Sequence, residues 1–344
     1  MPRSDPYLFA LVGSGFVGRL YASAIRACPD AALGRLVVSD RSFDRRAQLA
    51  LEFEVDEAMI TKRYDDVLDD RDVDVVIIGT PNPLHAQQML RCIEAGKPFI
   101  VEKPVVCNQE QLRRVLPALR DCPVKSLSGQ VLRYSEIFET AKALVASGEL
   151  GRVTSVSSQY VVNAVAAVRS QAKPWWRSPE NDEFAVIGAG VHSIDLMRWL
   201  AGEIAEVHAL GEKAILRDVP YHDTVAATLR FENGALGSFY LDFSAQRPAA
   251  VDLAVYGTQG TLTDSRLFLN AIPNLENFID LPVPALSFDN LPFPRLVSHM
   301  VEYLDSAVEP VCGALDGCMS AAVCLAIAES IRQGRSVRIE ELLG

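Results

Sequence analysis

The chain has 344 residues, of which 49% are hydrophobic and 22% charged, and carries a formal net charge of -11. Length and composition suit a globular protein of two domains, each able to bury its own core. The acidic balance argues against duplex nucleic acid, whose counterions are displaced by a basic face, and against an anionic membrane surface.

The start "MPRSDPYLFALVG" reads as a first strand rather than a signal peptide. The longest uninterrupted apolar run, "AAVCLAIA" at 321–328, falls short of the roughly 18 residues that a membrane span needs. Seven cysteines are scattered without a C-x-x-C pair, which fits free thiols in a reducing cytoplasm. No metal-ligand spacing is read from the sequence.

Over the first ~130 residues, short apolar runs alternate with helical patterns. The runs are "YLFALV" (7–12), "RLVVSD" (35–40), "VDVVIIG" (73–79), "KPFIVEKP" (97–104) and "VKSLSGQ" (124–130). Apolar strands separated by helices predict a parallel sheet covered on both faces. Gly96 sits where a helix C′ glycine belongs.

After Gly151 the rhythm changes to "RVTSVSSQYVVN", "EVHALGEKAIL", "TVAATLRFENG", "ALGSFYLDFSA" and "VDLAVYGTQGTL". These predict an antiparallel sheet, with Asn233-Gly234 at a hairpin tip. The proline-bearing stretch 270–294 reads as an irregular excursion. Helices follow at about 295–308 and 317–333, and then a short strand, "SVRIEE".

"GSGFVG" (Gly13, Ser14, Gly15, Phe16, Val17, Gly18) follows a strand and opens a helix, and Asp40 ends the next strand about 20 residues on. The glycines permit a tight turn, close approach to a pyrophosphate and close helix packing; the helix N-terminus offers unpaired N–H groups. Asp40 would accept from ribose hydroxyls and repel a 2′-phosphate, favouring NAD. Arg41 and Arg45 keep NADP open.

"GTPNPLHAQQ" (79–88) and "VEKPV" (101–105) end sheet strands on the ligand side of an open α/β fold. His85 is read as structural before catalytic. Glu102 and Lys103 follow an apolar strand, and Pro104 holds Lys103 extended. The C-terminal "AVIGAGVHSIDLMRWLAG" (185–202) carries His192. Taken alone, that residue reads as a satisfied core histidine.

The segments "GSGFVG", "TPNPLH", "EKP", "GQVLRY", "WWR" and "GVHSIDLMRWLAG", in this order, resemble the glucose–fructose oxidoreductase / inositol 2-dehydrogenase (Gfo/Idh/MocA) family over nearly the whole chain. "AESIRQGRSVRI" resembles the family's closing helix and strand. The resemblance implies an α/β protein with an N-terminal Rossmann domain (1–130). It also implies a C-terminal α+β domain (131–344) with an open, largely antiparallel sheet, whose closing helices near 317–333 pack back on the first. It implies NAD(P)-dependent hydride transfer at a hydroxyl or carbonyl carbon of a sugar, polyol or related small molecule. Dimers or tetramers through the C-terminal sheet are implied as well.

By position, the resemblance makes Lys103 the hydrogen-bond donor to the substrate oxygen and His192 the proton-exchanging group, suited to this by an ordinary imidazole pKa of about 6.5. Thr80, Pro81, Asn82, His85, Glu102 and Lys103 would line the cofactor. Arg133, Tyr160, Trp176 and Arg177 would meet nicotinamide or substrate. The chain departs from the family pattern at Gly188, where an aspartate is usual, and at Glu183 and Phe184, where paired glycines are usual. On an α-helix, residue 188 would share a face with His192, so a tuning carboxylate is missing. Glu183 or Asp195 could compensate, Asp195 having its own family counterpart in a structural role. Trp175, Trp176 and Phe184 would favour a less polar substrate. Two alternatives stand beside the dehydrogenase: a non-enzymatic NAD(P)-binding regulator or scaffold, and an NAD-dependent glycoside-processing enzyme.

Overall fold

The computed structural model describes residues 5–170, 174–178, 184–306 and 308–343. Glu183 and the Trp175 side chain, both singled out above, lie outside the described residues. Two compact units divide the chain. The first comprises residues 1–106, 114–131 and 292–318, and the second 107–113, 132–291 and 319–344. A change of unit near 131 is therefore followed by a return to the first unit at 292.

The first unit is built on six parallel strands in the order 3-2-1-4-5-6. They are β1 (Tyr7–Val12), β2 (Ala31–Val37), β3 (Ile60–Thr61), β4 (Val75–Ile78), β5 (Phe99–Val101) and β6 (Ser126–Ser128). Every residue of β4 and β5 is buried, because helices on both faces leave no polar side to alternate with. β3 is a two-residue edge strand, too short to show a period in sequence. The strand order reverses between β1 and β4, and a doubly wound sheet opens its ligand crevice at the carboxyl ends there. The helix Phe16–Ala27 buries Tyr21 and Ile25. The Tyr21 ring meets Phe293 edge-on at 4.9 Å, at the start of the helix Phe293–Asp305. Gly96, at φ +66°, follows the helix His85–Glu94 in the left-handed conformation that a C′ residue needs.

The second unit holds nine strands: β7 (Val153–Val161), β8 (Ile204–Glu212), β9 (Thr224–Phe231), β10 (Leu236–Asp242), β11 (Ala250–Gly257), β12 (Gly260–Thr263), β13 (Arg266–Leu269), β14 (Ile279–Asp280) and β15 (Val337–Arg338). Their order is 14-13-12-11-7-10-9-8-15. All neighbours are antiparallel except β7 and β10. "VDLAVYGTQGTL" divides into β11 and β12, so one run in sequence is two strands. Asn233-Gly234 does turn β9 into β10, with Gly234 at φ +85°. Buried and exposed residues alternate along both strands, which is the mark of a sheet covered on one face. The excursion at 270–291 carries only the two-residue β14.

The helix Ala314–Gln333 corrects the reading of its short apolar run. With 20 residues and a mean hydropathy of 1.5 in its most apolar window, it is long and apolar enough to cross a membrane. Yet 72% of that window is buried inside the protein, and Ala321, Ala322, Cys324, Ala326 and Ile327 are fully so. A helix apolar all round and enclosed by protein is a core helix.

Candidate functional site

The turn after β1 is closed around its glycines. Gly13 stands at φ +111°, and a Cβ there would meet the Gly79 carbonyl oxygen at 2.5 Å. A Cβ on Gly18 would lie 2.2 Å from the Gly13 carbonyl oxygen. Around Gly15, by contrast, a Cβ would meet nothing within 4 Å. Gly15 caps the helix Phe16–Ala27 without a side-chain hydrogen bond, and the first turn has no acidic residue. Open space above a helix N-terminus without a side-chain cap or an acidic first turn fits a pyrophosphate. Phe16 is exposed, while Ser14 and Val17 are half-buried.

Asp40 opens a four-residue helix beyond β2, and its side chain is 88% exposed. Lys62 Nζ lies 2.9 Å from Asp40 Oδ1. Nothing local in the sequence points to Lys62. Only the pairing of β2 with β3 brings it there. Arg41 and Arg45 are both exposed.

The next two turns are tied by one imidazole. His85 is buried, with Nδ1 2.8 Å from the Pro104 carbonyl oxygen and Nε2 2.8 Å from that of Thr80. Burial holds its pKa below the ordinary value against the pull of those carbonyls, and Lys103 lowers it further. Both ring nitrogens thus face backbone carbonyls, with the neutral ring donating to one of them, and His85 lies between the "TPNP" turn and the "EKP" turn. The Thr80 hydroxyl donates to Gln88 Oε1 at 2.6 Å. Asn82 is buried and Pro81 exposed.

Glu102 is buried and accepts a hydrogen bond from the Tyr21 hydroxyl at 2.7 Å. Burial pushes its pKa up to about 7 against the opposing charge of Lys103. The carboxylate packs so closely over Gly129 that a Cβ there would lie 2.4 Å from Oε1. Lys103 is half-buried and its bond to Pro104 is cis. Gln130, just past β6, is 1% exposed, and neither amide atom has a hydrogen-bond partner among the described residues. It was not singled out from sequence.

In the second unit, "AVIGAGVHSIDLMRWLAG" is not one regular helix. Val186–Gly190 form a π-helical turn and Val191–Ala201 an α-helix, ended by Gly202 at φ +100°. Residue 188 lies in the π-helical turn and His192 in the first turn of the α-helix that continues it. His192 is buried, and the Tyr160 ring stacks on it at 6.2 Å and 11°. Phe288, from the proline-bearing excursion, meets Tyr160 edge-on at 6.1 Å. Burial pushes the Tyr160 phenol up to about 12.

Gly188 faces Phe184: a Cβ at 188 would lie 2.8 Å from Phe184 Cε2. That ring packs against Trp176 at 4.8 Å, Tyr221 at 5.7 Å and Phe243 at 6.3 Å. The Phe184 ring thus takes the room that a side chain at 188 would need. Arg177 is half-buried, and its Nε has no hydrogen-bond partner among the described residues.

Arg133 stands elsewhere in this unit. Its Nε and Nη2 donate to Asp195 Oδ2 and Oδ1 at 2.8 and 2.9 Å, and both side chains are buried. Ser320 donates to Asp195 Oδ1, Arg198 Nη1 donates to Ser320 Oγ, and Arg198 also grips Glu203. The bidentate pair commits two of Arg133's nitrogens to the frame rather than to a substrate. It also engages Asp195, which cannot then stand in for the missing carboxylate.

Two family profiles match in tandem. Residues 7–128 match "Oxidoreductase family, NAD-binding Rossmann fold", and residues 138–263 match "GFO/IDH/MocA C-terminal domain". The chain belongs to the Gfo/Idh/MocA family. As a Gfo/Idh/MocA protein it is an oxidoreductase with an NAD-binding Rossmann domain. Among curated relatives, levoglucosan dehydrogenase of Pseudarthrobacter phenanthrenivorans is 27% identical over 73% of this chain and 72% of its own. The 1,5-anhydro-D-fructose reductase of Ensifer adhaerens is 25% identical over 96% and 98%. Myo-inositol 2-dehydrogenase of Thermotoga maritima is 23% identical over 97% and 99%. A solved oxidoreductase domain protein of Kribbella flavida superposes with a TM-score of 0.87 at 22% identity, covering 98% of this chain and 100% of that one. Levoglucosan dehydrogenase in complex with NADH superposes at 0.83 with 24% identity, covering 97% and 99%. These superpositions show the Gfo/Idh/MocA fold.

Proposed function

We propose that this oxidoreductase passes a hydride between NAD and the CH–OH or C=O carbon of a sugar, polyol or related small molecule. Lys103 hydrogen-bonds the reacting oxygen, and His192 takes its proton in oxidation or returns it in reduction. When bound, NAD supplies the hydride acceptor or donor. The observation that carries the reading is the glycine turn, closed at Gly13 and Gly18 and open at Gly15. The ring of Tyr160 over His192 supports the second part, since a stacked imidazole keeps one orientation. Thr80, Pro81, Asn82 and Glu102 contribute to the cofactor side, with His85 as the clamp between their turns. Tyr160, Trp176 and Arg177 contribute to the substrate side. The curated relatives act on an anhydro sugar and on an inositol, which supports the same substrate class.

We also propose a cytoplasmic homo-oligomer. The seven cysteines are free, and the open face of the second sheet exposes Leu210, Leu236, Tyr240 and Tyr256. Light scattering after gel filtration reads the oligomer directly.

The test of the reaction is the absorbance of reduced nicotinamide across a panel of sugars, anhydro sugars and inositols. Lys103→Ala and His192→Ala should each lower kcat/KM by about 10²–10⁴-fold. Turnover equal to wild type in both variants overturns the assignment.

A further inference from the structure

Asp40 alone is a one-sided filter. Its carboxylate accepts from the ribose hydroxyls of NAD and repels the 2′-phosphate of NADP. In this structure it does not act alone. β2 pairs with β3 in the register Leu36 with Ile60 and Val37 with Thr61, so the residues just past the two strand ends lie side by side. Lys62 Nζ comes to 2.9 Å from Asp40 Oδ1. Phe43, in the same short helix as Asp40, holds two cations against its ring, Lys62 at 5.5 Å and Arg46 at 5.0 Å. Arg46 is also engaged by Glu57 at 2.8 Å.

The Lys62 and Asp40 side chains are 49% and 88% exposed. An ion pair so exposed contributes little to stability, and its lysine is easily redirected. Its consequence is electrostatic. An ammonium on the carboxylate cancels most of the charge that would repel a phosphate placed beside it. The same ammonium can then donate to that phosphate while Asp40 keeps its second oxygen for the ribose.

We propose that Lys62 is a cofactor-discrimination residue: it offsets Asp40 and receives the ribose 2′-phosphate, so that the protein binds NADP as well as NAD. The proposal rests on the dinucleotide reading of the glycine turn and on Asp40 as the ribose acid. It adds a residue outside the fingerprint, chosen by strand register rather than by spacing.

Binding of NADH and NADPH, followed by nicotinamide fluorescence without substrate, tests it independently of turnover. Wild type should bind both. Lys62→Met should weaken NADPH about 10-fold more than NADH, the scale of a lost charge-assisted hydrogen bond. Asp40→Ser should turn the preference toward NADPH, and Asp40→Ser with Lys62→Met should lose that gain. NADPH binding should also fall faster with added salt than NADH binding. Arg63→Met removes the same charge one residue away and should leave the NADH-to-NADPH ratio as it was. A ratio unmoved by Lys62→Met, or moved equally by Arg63→Met, overturns the role of Lys62 while NADH binding still upholds the dinucleotide site. A wild type that binds neither nucleotide overturns both.

Discussion

The glycine turn after β1 is made almost wholly of backbone, whereas the setting of His192 is made of side chains. At the turn, the decisive contacts are a Cβ that Gly13 and Gly18 cannot carry and the space left above Gly15. Around His192, they are rings: Tyr160 on the imidazole, Phe288 on Tyr160, and Phe184 over Gly188. A backbone site tolerates drift in its surroundings, because any sequence that keeps the glycines keeps the shape. A side-chain site changes with each ring that lines it, which makes it the place where relatives on one fold come to differ.

Three changes break or sharpen that contrast. The largest effect belongs to the side-chain frame. Asp195→Asn leaves the buried Arg133 guanidinium without its counter-charge and should cost about 3–5 kcal/mol in urea unfolding. A loss below about 1 kcal/mol would remove Arg133 from the frame and return it to the substrate.

Next comes Glu102, which sits beside the backbone-made site. Its folded pKa of about 7 lies above the ordinary 4.5. The raised value means that the folded state binds the proton more tightly than the unfolded one. Its contribution is therefore fully present below pH 4.5 and is lost as pH rises through 7. The ionised form costs about 3 kcal/mol. Glu102→Gln still offers an oxygen to Tyr21. Without cofactor, it should be more stable than wild type above pH 8 and no more stable at pH 4.5, by melting at fixed pH. Parallel pH curves for the two proteins would count against the buried carboxylate.

The smallest effect tests whether Phe184 and Gly188 form one unit. Gly188→Ala puts a Cβ against the Phe184 ring and should destabilise the wild type, yet be tolerated with Phe184→Ala. The coupling energy should be about 1 kcal/mol by urea titration. Additive effects would separate the two positions.

The backbone-made parts were the legible ones. β1 is the run "YLFALV" itself, and the glycine turn, the hairpin at Asn233 and the C′ role of Gly96 follow from local backbone rules. What was not legible depends on distant pairing. Lys62 reaches Asp40 only through the register of β2 on β3. Phe288 reaches Tyr160 from a stretch with no period to read. The π-helical turn at Val186–Gly190 was not legible either, since one extra residue in a turn leaves no mark in composition. The bidentate pairing of Arg133 with Asp195 was not legible because the two lie 62 residues apart.

The return of residues 292–318 to the first unit has a consequence for synthesis. A ribosome delivers the strands of the parallel sheet early and Phe293 late. Until it emerges, the Tyr21 ring lacks the edge-on partner it has in the finished protein. The nucleotide-binding half therefore waits for residues 292–318 although its sheet is made first. A message cut short anywhere before that helix yields a nascent chain with a sheet but an unfinished apolar surface, the kind of surface that chaperones hold.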